Sequence, residues 1–391
     1  MTENTKKQVE VALDKIFNEL DLYCTKDISL FSGKSGLLLF FQEYNNLNKT
    51  DSSLLFQENF YSILENLKNG EDVSFCNGLS GIAWTLDYFS KIDLIETDLD
   101  FLQEIDDHIE LELNRIIEIE DWDFLHGFIG IGFYFLERKN HIIVNKIVKK
   151  IEEISIKDSN GIKWLGFNYA PNKEIVYCYP LSLSHGSSSI IAFLNLCIKE
   201  NKMYSKKART LLDKAVIFLK SCELKDKKSL FPPEIPFSNE IELRESKLAW
   251  CNGDLGIGYT FLKIGEDLEN DQLYQKGLDI CLHSAMRKNQ DISFIKDSCL
   301  CHGTAGVSYI FKKLFYKTNN PVFDDASSYW LDETLKMALN NTADLDMLFW
   351  GGEELGMKKD YSLLGGIIGV GLVLISLLNG KSANWDKILL L

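Results

Sequence analysis

Seven times along this 391-residue chain a short glycine turn, often Gly-x-x-Gly, runs straight into an apolar stretch of helical length. The copies read GKSGLLLFF from Gly33, NGLSGIAW from Asn77, HGFIGIGFYF from His126, HGSSSIIAF from His185, NGDLGIGYTF from Asn252, HGTAGVSYIF from His302 and GGIIGVGLVL from Gly365. A recurrence at this spacing marks a repeat architecture and outranks any local assignment. Each interval also holds a second kind of helix. Residues 101–120 set Leu102, Ile105, Ile109, Leu113 and Ile116 at three- and four-residue steps with acids between them, the pattern of a helix with one wet face. Similar patterns run over about 9–22, 53–68, 142–156, 205–223, 272–287 and 323–339. Seven amphipathic helices thus alternate with seven that are apolar all round. The economical packing puts the apolar set inside. The expected fold is all-α, an α/α toroid of seven inner and seven outer helices in a single domain over 1–391, with longer loops at about 157–184 and 224–249.

Length alone suggests two to three domains at ~150 residues each, and the repeat overrides it. With 46% hydrophobic and 25% charged residues the chain can bury a large core, which excludes a disordered one. Its 42 basic against 57 acidic residues leave a net charge of −15. Such a surface repels phosphate backbones, so no nucleic-acid partner is expected. The N-terminal MTENTKKQVEVALDKIF has no signal-peptide layout. The most apolar stretch, Leu363 to Leu378, falls short of the ~20 residues that span a bilayer. A cytoplasmic protein without a transmembrane segment is expected. Nine cysteines, an odd number, argue against a disulfide framework.

Glycines at helix starts are expected to let the chain turn and approach closely, while unpaired N–H groups there favour bound anions. A phosphate-loop reading of Gly33-Lys34-Ser35 fails, because Ile28 stands where that pattern needs glycine. The residues before the glycines carry the chemistry. Three are histidines, His126, His185 and His302; another motif is headed by Trp250-Cys251-Asn252, and Cys301 precedes His302. If the motifs share one end of the fold, Cys251, Cys301 and His302 form a Cys, Cys, His set. Soft thiolates with imidazole select zinc, and three ligands leave a fourth position open. Cys299 offers a closed, structural alternative, and plain burial of the thiols is a third reading.

Seven glycine helix starts together with AWCNG at 249–253, CHG at 301–303, SHG at 184–186 and DFLHG at 123–127 closely resemble the lanthionine synthetase C-like (LanC-like) cyclases, over residues ~10–391. The resemblance implies a stand-alone class I lanthipeptide cyclase: an α/α toroid with zinc on Cys251, Cys301 and His302. It adds peptide cysteine thiols to dehydroalanine or dehydrobutyrine, forming (methyl)lanthionine thioethers. The family's acid–base histidine falls on His185, its essential aspartate on Asp123, and its tryptophan beside the zinc cysteine on Trp250. The implied partners are a dehydrated ribosomal precursor peptide and a complex with a dehydratase and a membrane exporter, to which the cyclase would be peripheral. Three positions depart from the family pattern: Lys247 where arginine is frequent, Asn252 where tyrosine is common, and Ser189 in place of the second glycine of its motif.

The chemistry explains the residue types. A cysteine thiol has a pKa near ~8.5 and reacts as thiolate, which zinc supplies at neutral pH. Attack on a dehydro residue gives an enolate that needs charge stabilisation and a proton. His185 is assigned the proton transfer, Asp123 its orientation and Lys247 the enolate charge. His126 is the rival acid–base group and a substrate contact. Trp164, Tyr177, Tyr179, Phe231 and the Pro232-Pro233 pair, in the long loops, are candidates for walls around the peptide or for surface packing. Competing functions are a zinc prenyltransferase, a glycoside hydrolase on the same scaffold, and a LanC-like zinc protein that holds glutathione or a partner enzyme without cyclising a precursor.

Overall fold

Every one of the seven glycine turns opens a helix, and in each the motif glycine is the N-cap. The computed structural model describes residues 1–47, 52–67, 72–96, 99–169, 174–238, 242–339, 345, 347–380 and 383–391. In chain order the helices are α1 (Glu3–Asp21), α2 (Lys34–Asn45), α3 (Ser53–Asn66), α4 (Leu79–Lys91), α5 (Leu99–Glu118), α6 (Phe128–Glu137), α7 (His141–Glu153), α8 (Ser187–Glu200), α9 (Lys202–Ser221), α10 (Asp254–Asp267), α11 (Asp271–Ala285), the four-residue α12 (Gln290–Ser293), α13 (Thr304–Thr318), α14 (Pro321–Ala338) and α15 (Ile367–Asn379). The seven amphipathic segments read from the sequence correspond to α1, α3, α5, α7, α9, α11 and α14; residue 68, at the end of one of them, lies outside the described residues.

The described residues divide into two compact units that interleave along the chain. One takes 1–70, 248–250 and 285–386; the other takes 71–247, 251–284 and 387–391. In the first unit α15 is buried at each position from Ile367 to Leu377 and packs on α1, α2 and α13, while α14 lies along α13. In the second, α6 is buried from Phe128 to Leu136 and packs on α4, α5, α7 and α8. Its neighbour α7 buries only Ile143, Val144, Ile147, Val148 and Ile151, one stripe at helical spacing. Glycine permits close contact between α10 and α11: a Cβ on Gly277 would stand 2.2 Å from the backbone nitrogen of Leu262. Arg138, just beyond α6, joins Asp87 of α4 to Asp106 of α5 at 3.0 and 2.9 Å, tying three helices through one guanidinium.

Among the described residues seven short strands accompany the helices, in segments where the sequence predicts loops or helix ends. β1 (Ile156–Asp158) pairs with β2 (Gly161–Lys163); β3 (Gly166–Tyr169), β4 (Ile175–Pro180) and β5 (Glu234–Pro236) form an antiparallel sheet in that order; β6 (Phe349–Trp350) pairs with β7 (Met357–Lys358). The two long loops thus meet as one small sheet, although 170–173 and 239–241 lie outside the described residues.

Candidate active site and metal-ligand loops

The turns before the helices share a construction. Six residues ahead of the helix-start glycine, Asp27, Asp72, Asp121, Asp297 and Asp360 occupy the same slot. Each carboxylate accepts the N–H of the residue two further on, Ser29, Ser74, Asp123, Cys299 and Ser362, at 2.8–3.2 Å. Each main-chain carbonyl accepts the N–H that follows the glycine, at 2.8–3.1 Å. The chain therefore folds back over its own carbonyl. At Gly127 a Cβ would lie 2.3 Å from Asp121 O, so glycine is required by this return of the chain on itself. The aspartate repeat was present in the sequence and was missed, because it lies outside the glycine motif. It also places a carboxylate at five helix starts, where the expected anion site would be.

Lys247 and Asp123 are among the positions that depart from this pattern. Lys247 stands where the aspartate would be in the fifth motif, half-buried, with its carbonyl over Gly253. Asp123 stands where Ser74, Ser182 and Ser362 close their loops by accepting the N–H of the residue three further on, at 3.0–3.3 Å. Its Oδ1 accepts the N–H of Leu125 at 2.7 Å and of His126 at 2.9 Å. Its Oδ2 lies 2.6 Å from Nδ1 of His185. Accepting at a carboxylate makes Nδ1 the donor and leaves Nε2 as the working nitrogen.

Burial opposes charge on both partners, while each favours the charged form of the other. Asp123 sits below the ordinary carboxylate range and His185 above the ordinary imidazole range, with the thiol of Cys251 adding to the upward push on His185. Asp121 beside them is raised by burial. The ring of His126 lies parallel to that of His185 at 6.1 Å, and is exposed. A cavity of about 710 Å³ opens over this group, bordered by Trp122, Asp123, His126, His185, Asn252 and the sheet β3–β5. Tyr177 and Pro233 reach it; Trp164 and Phe231 are core residues and form no wall, and Tyr179 packs against Phe218.

In the other unit Trp250 is 1% exposed, and its main-chain N–H donates to Cys301 O at 3.1 Å. Cys301 and His302 are partly exposed. Asp297, Cys299 and His302 bring ligand atoms within 4.8 Å of one another, the chemistry of a metal cluster. Two of these groups are already engaged. Asp297 accepts the N–H of Cys299 and of Trp350, both at 2.9 Å, and the Cys299 thiol accepts the N–H of His302 at 3.4 Å. Cys299 fills the loop-closing slot held by serine elsewhere. Cys251, in the first unit's partner, is buried, and its carbonyl accepts the N–H of Leu183 at 3.1 Å. None of the nine cysteines is in a disulfide, and Cys24 is exposed. No helix among the described residues is long and apolar enough to cross a membrane.

Known proteins place the chain in a class. The family model described as lanthionine synthetase C-like protein matches residues 2–107 and 25–390. The chain belongs to that family. Nisin biosynthesis protein NisC of Lactococcus lactis subsp. lactis is 25% identical over 415 aligned positions, covering 94% of this chain and 92% of that protein. The solved structure of a nisin cyclase matches with a TM-score of 0.72 at 21% identity, over 100% of this chain and 98% of that one. That likeness shows the fold, the all-α toroid class expected from the repeats.

Proposed function

We propose that this chain is a zinc-dependent lanthipeptide cyclase, joining cysteine thiols of a dehydrated ribosomal peptide to dehydroalanine or dehydrobutyrine as thioethers. The observation that carries the reading is the His185–Asp123 pair at 2.6 Å, opening on a peptide-sized cavity, in a chain of the lanthionine synthetase C-like family.

Cys251, Cys301 and His302 are the ligands in this reading. Two thiolates and a neutral imidazole suit zinc and leave a position for a substrate thiol. The hydrogen bond from Trp250 to Cys301 supports the set, since Cys251 follows Trp250 in the chain. Zinc, when bound, supplies a substrate thiolate at neutral pH. His185 takes the thiol proton on Nε2, with Asp123 steadying the imidazolium. As the sulfur–carbon bond forms, the alkene electron pair moves to the neighbouring carbonyl as an enolate. Lys247, a cation in a slot that is aspartate in five other repeats, stabilises that charge. His185 then returns the proton to the α-carbon, so the step is balanced. His126, exposed beside His185, holds the peptide, whereas Trp250, at 1% exposure, is too buried for the substrate contact expected of it and instead fixes the backbone next to Cys251. A dehydratase must supply the dehydro residues, and it and an exporter are the partners of this reading.

Zinc-loaded protein mixed with a dehydrated precursor peptide should lower the count of alkylatable thiols in mass spectrometry. A count equal to the enzyme-free control overturns the reading, and is the outcome for a zinc protein that only holds glutathione or a partner enzyme.

A further inference from the structure

The sheet β3–β5 exposes aromatic rings that neither the core nor the proton-transfer pair uses. Its register sets Phe167 opposite Tyr177. The N–H of Phe237, one residue past β5, donates to Tyr177 O at 3.1 Å, continuing the pairing of Cys178 with Pro236. Residues opposite one another on neighbouring strands share a face, so the three rings form one row. They are 53%, 56% and 61% exposed. Tyr179, two residues along the same face, is instead buried against Phe218 and Phe237, each at 6.2 Å, which anchors the sheet to α9. The row is continuous with the candidate site, because Phe167 and Tyr177 border the cavity that holds Asp123 and His185.

We infer that Phe167, Tyr177 and Phe237 are a docking platform for the peptide substrate, selecting aliphatic or aromatic side chains next to the reacting residue. The inference rests on the cyclase reading for its occupant. Strands about 4.8 Å apart make the row about 10 Å long, the reach of about three residues of extended chain. Exposed aromatic patches beside a cavity are where apolar groups leave water.

The test measures binding and turnover separately. A fluorescent precursor segment with apolar residues flanking its cysteine, and the same segment with those residues changed to serine, are titrated against the zinc-loaded protein by anisotropy. The apolar segment should bind about tenfold more tightly, and Phe167→Ser/Tyr177→Ser/Phe237→Ser should lose that preference and raise KM more than it lowers kcat. Equal affinity of the native protein for both segments, or a preference that survives the triple change, overturns the platform. Failure of the cyclase reading is a different result: no thiol loss with the native protein, whatever the binding.

Discussion

Asp123 grips His185 with one carboxylate oxygen, at 2.6 Å, and its own loop with the other, at 2.7 and 2.9 Å to the N–H groups of Leu125 and His126. Fixed at both ends, the carboxylate holds the imidazole in one tautomer and orientation. The serine slot of a structural repeat has here been given to the partner of His185.

Asp123→Ser should therefore keep the loop, since serine closes it in three sister motifs, yet lower cyclisation by about 10²- to 10⁴-fold. Removing the carboxylate lowers the pKa of His185, so the limb of the kcat/KM profile that this histidine governs should move to lower pH. An unmoved limb in a peptide-cyclisation assay would reassign the proton transfer to His126.

The pair also sets a stability window. Asp123, lowered in the fold, contributes stability that is present above pH 3.8 and lost as pH falls through its folded value. His185, raised in the fold, contributes stability that is complete below pH 6.5 and lost as pH rises through its folded value. Urea unfolding of metal-free native protein and Asp123→Asn should differ most between those limits and converge at either extreme; a constant difference would mean the loop bonds, not the ion pair, are responsible.

Zinc content separates the two thiols of the sixth motif. Cys301→Ala should abolish the stoichiometric ion, whereas Cys299→Ser should retain it, because a serine hydroxyl can accept the His302 N–H as Cys299 does. Metal analysis after gel filtration reads both. Loss of zinc from Cys299→Ser would restore the closed four-ligand site.

Gly127→Ala forces a Cβ to 2.3 Å from a main-chain oxygen and should cost about 2–3 kcal/mol in denaturant unfolding. Gly365→Ala, where the nearest atom is the Ser362 hydroxyl at 3.2 Å, should cost well under half of that. Equal losses would show that the turn does not depend on the close return of the chain.

Burial pushes the thiols of Cys178 and Cys222 up to about 12. An aromatic disulfide reagent at pH 8 should label exposed Cys24 promptly in the folded protein and reach those two only after unfolding. Early labelling of Cys178 would mean that the β3–β5 sheet opens readily.

Most of the helical architecture was legible because it is periodic: glycine before each buried helix, and a single apolar stripe on each half-wet one, as in α7. The strands were not, since β1–β7 are two to six residues long and draw their pairing from distant segments, as when β4 meets β5 across 53 residues of helix and loop. The motif histidines and cysteines were legible as chemistry, but not their division of labour. Cys299 and Cys301 are two residues apart in sequence and look alike there; only the hydrogen bond from His302 marks Cys299 as the thiol that closes a loop.

The sequence by itself determined the repeat, the helix starts and the donor types, because backbone sterics and apolar periodicity act over a few residues. Only the tertiary structure decided that Asp123 reaches His185 across 62 residues, that Trp164 and Phe231 belong to the core while Tyr177 borders the cavity, and that Phe167, Tyr177 and Phe237 line up. Such contacts join segments far apart in the chain, and their partners are chosen by packing and strand register, which no local pattern encodes.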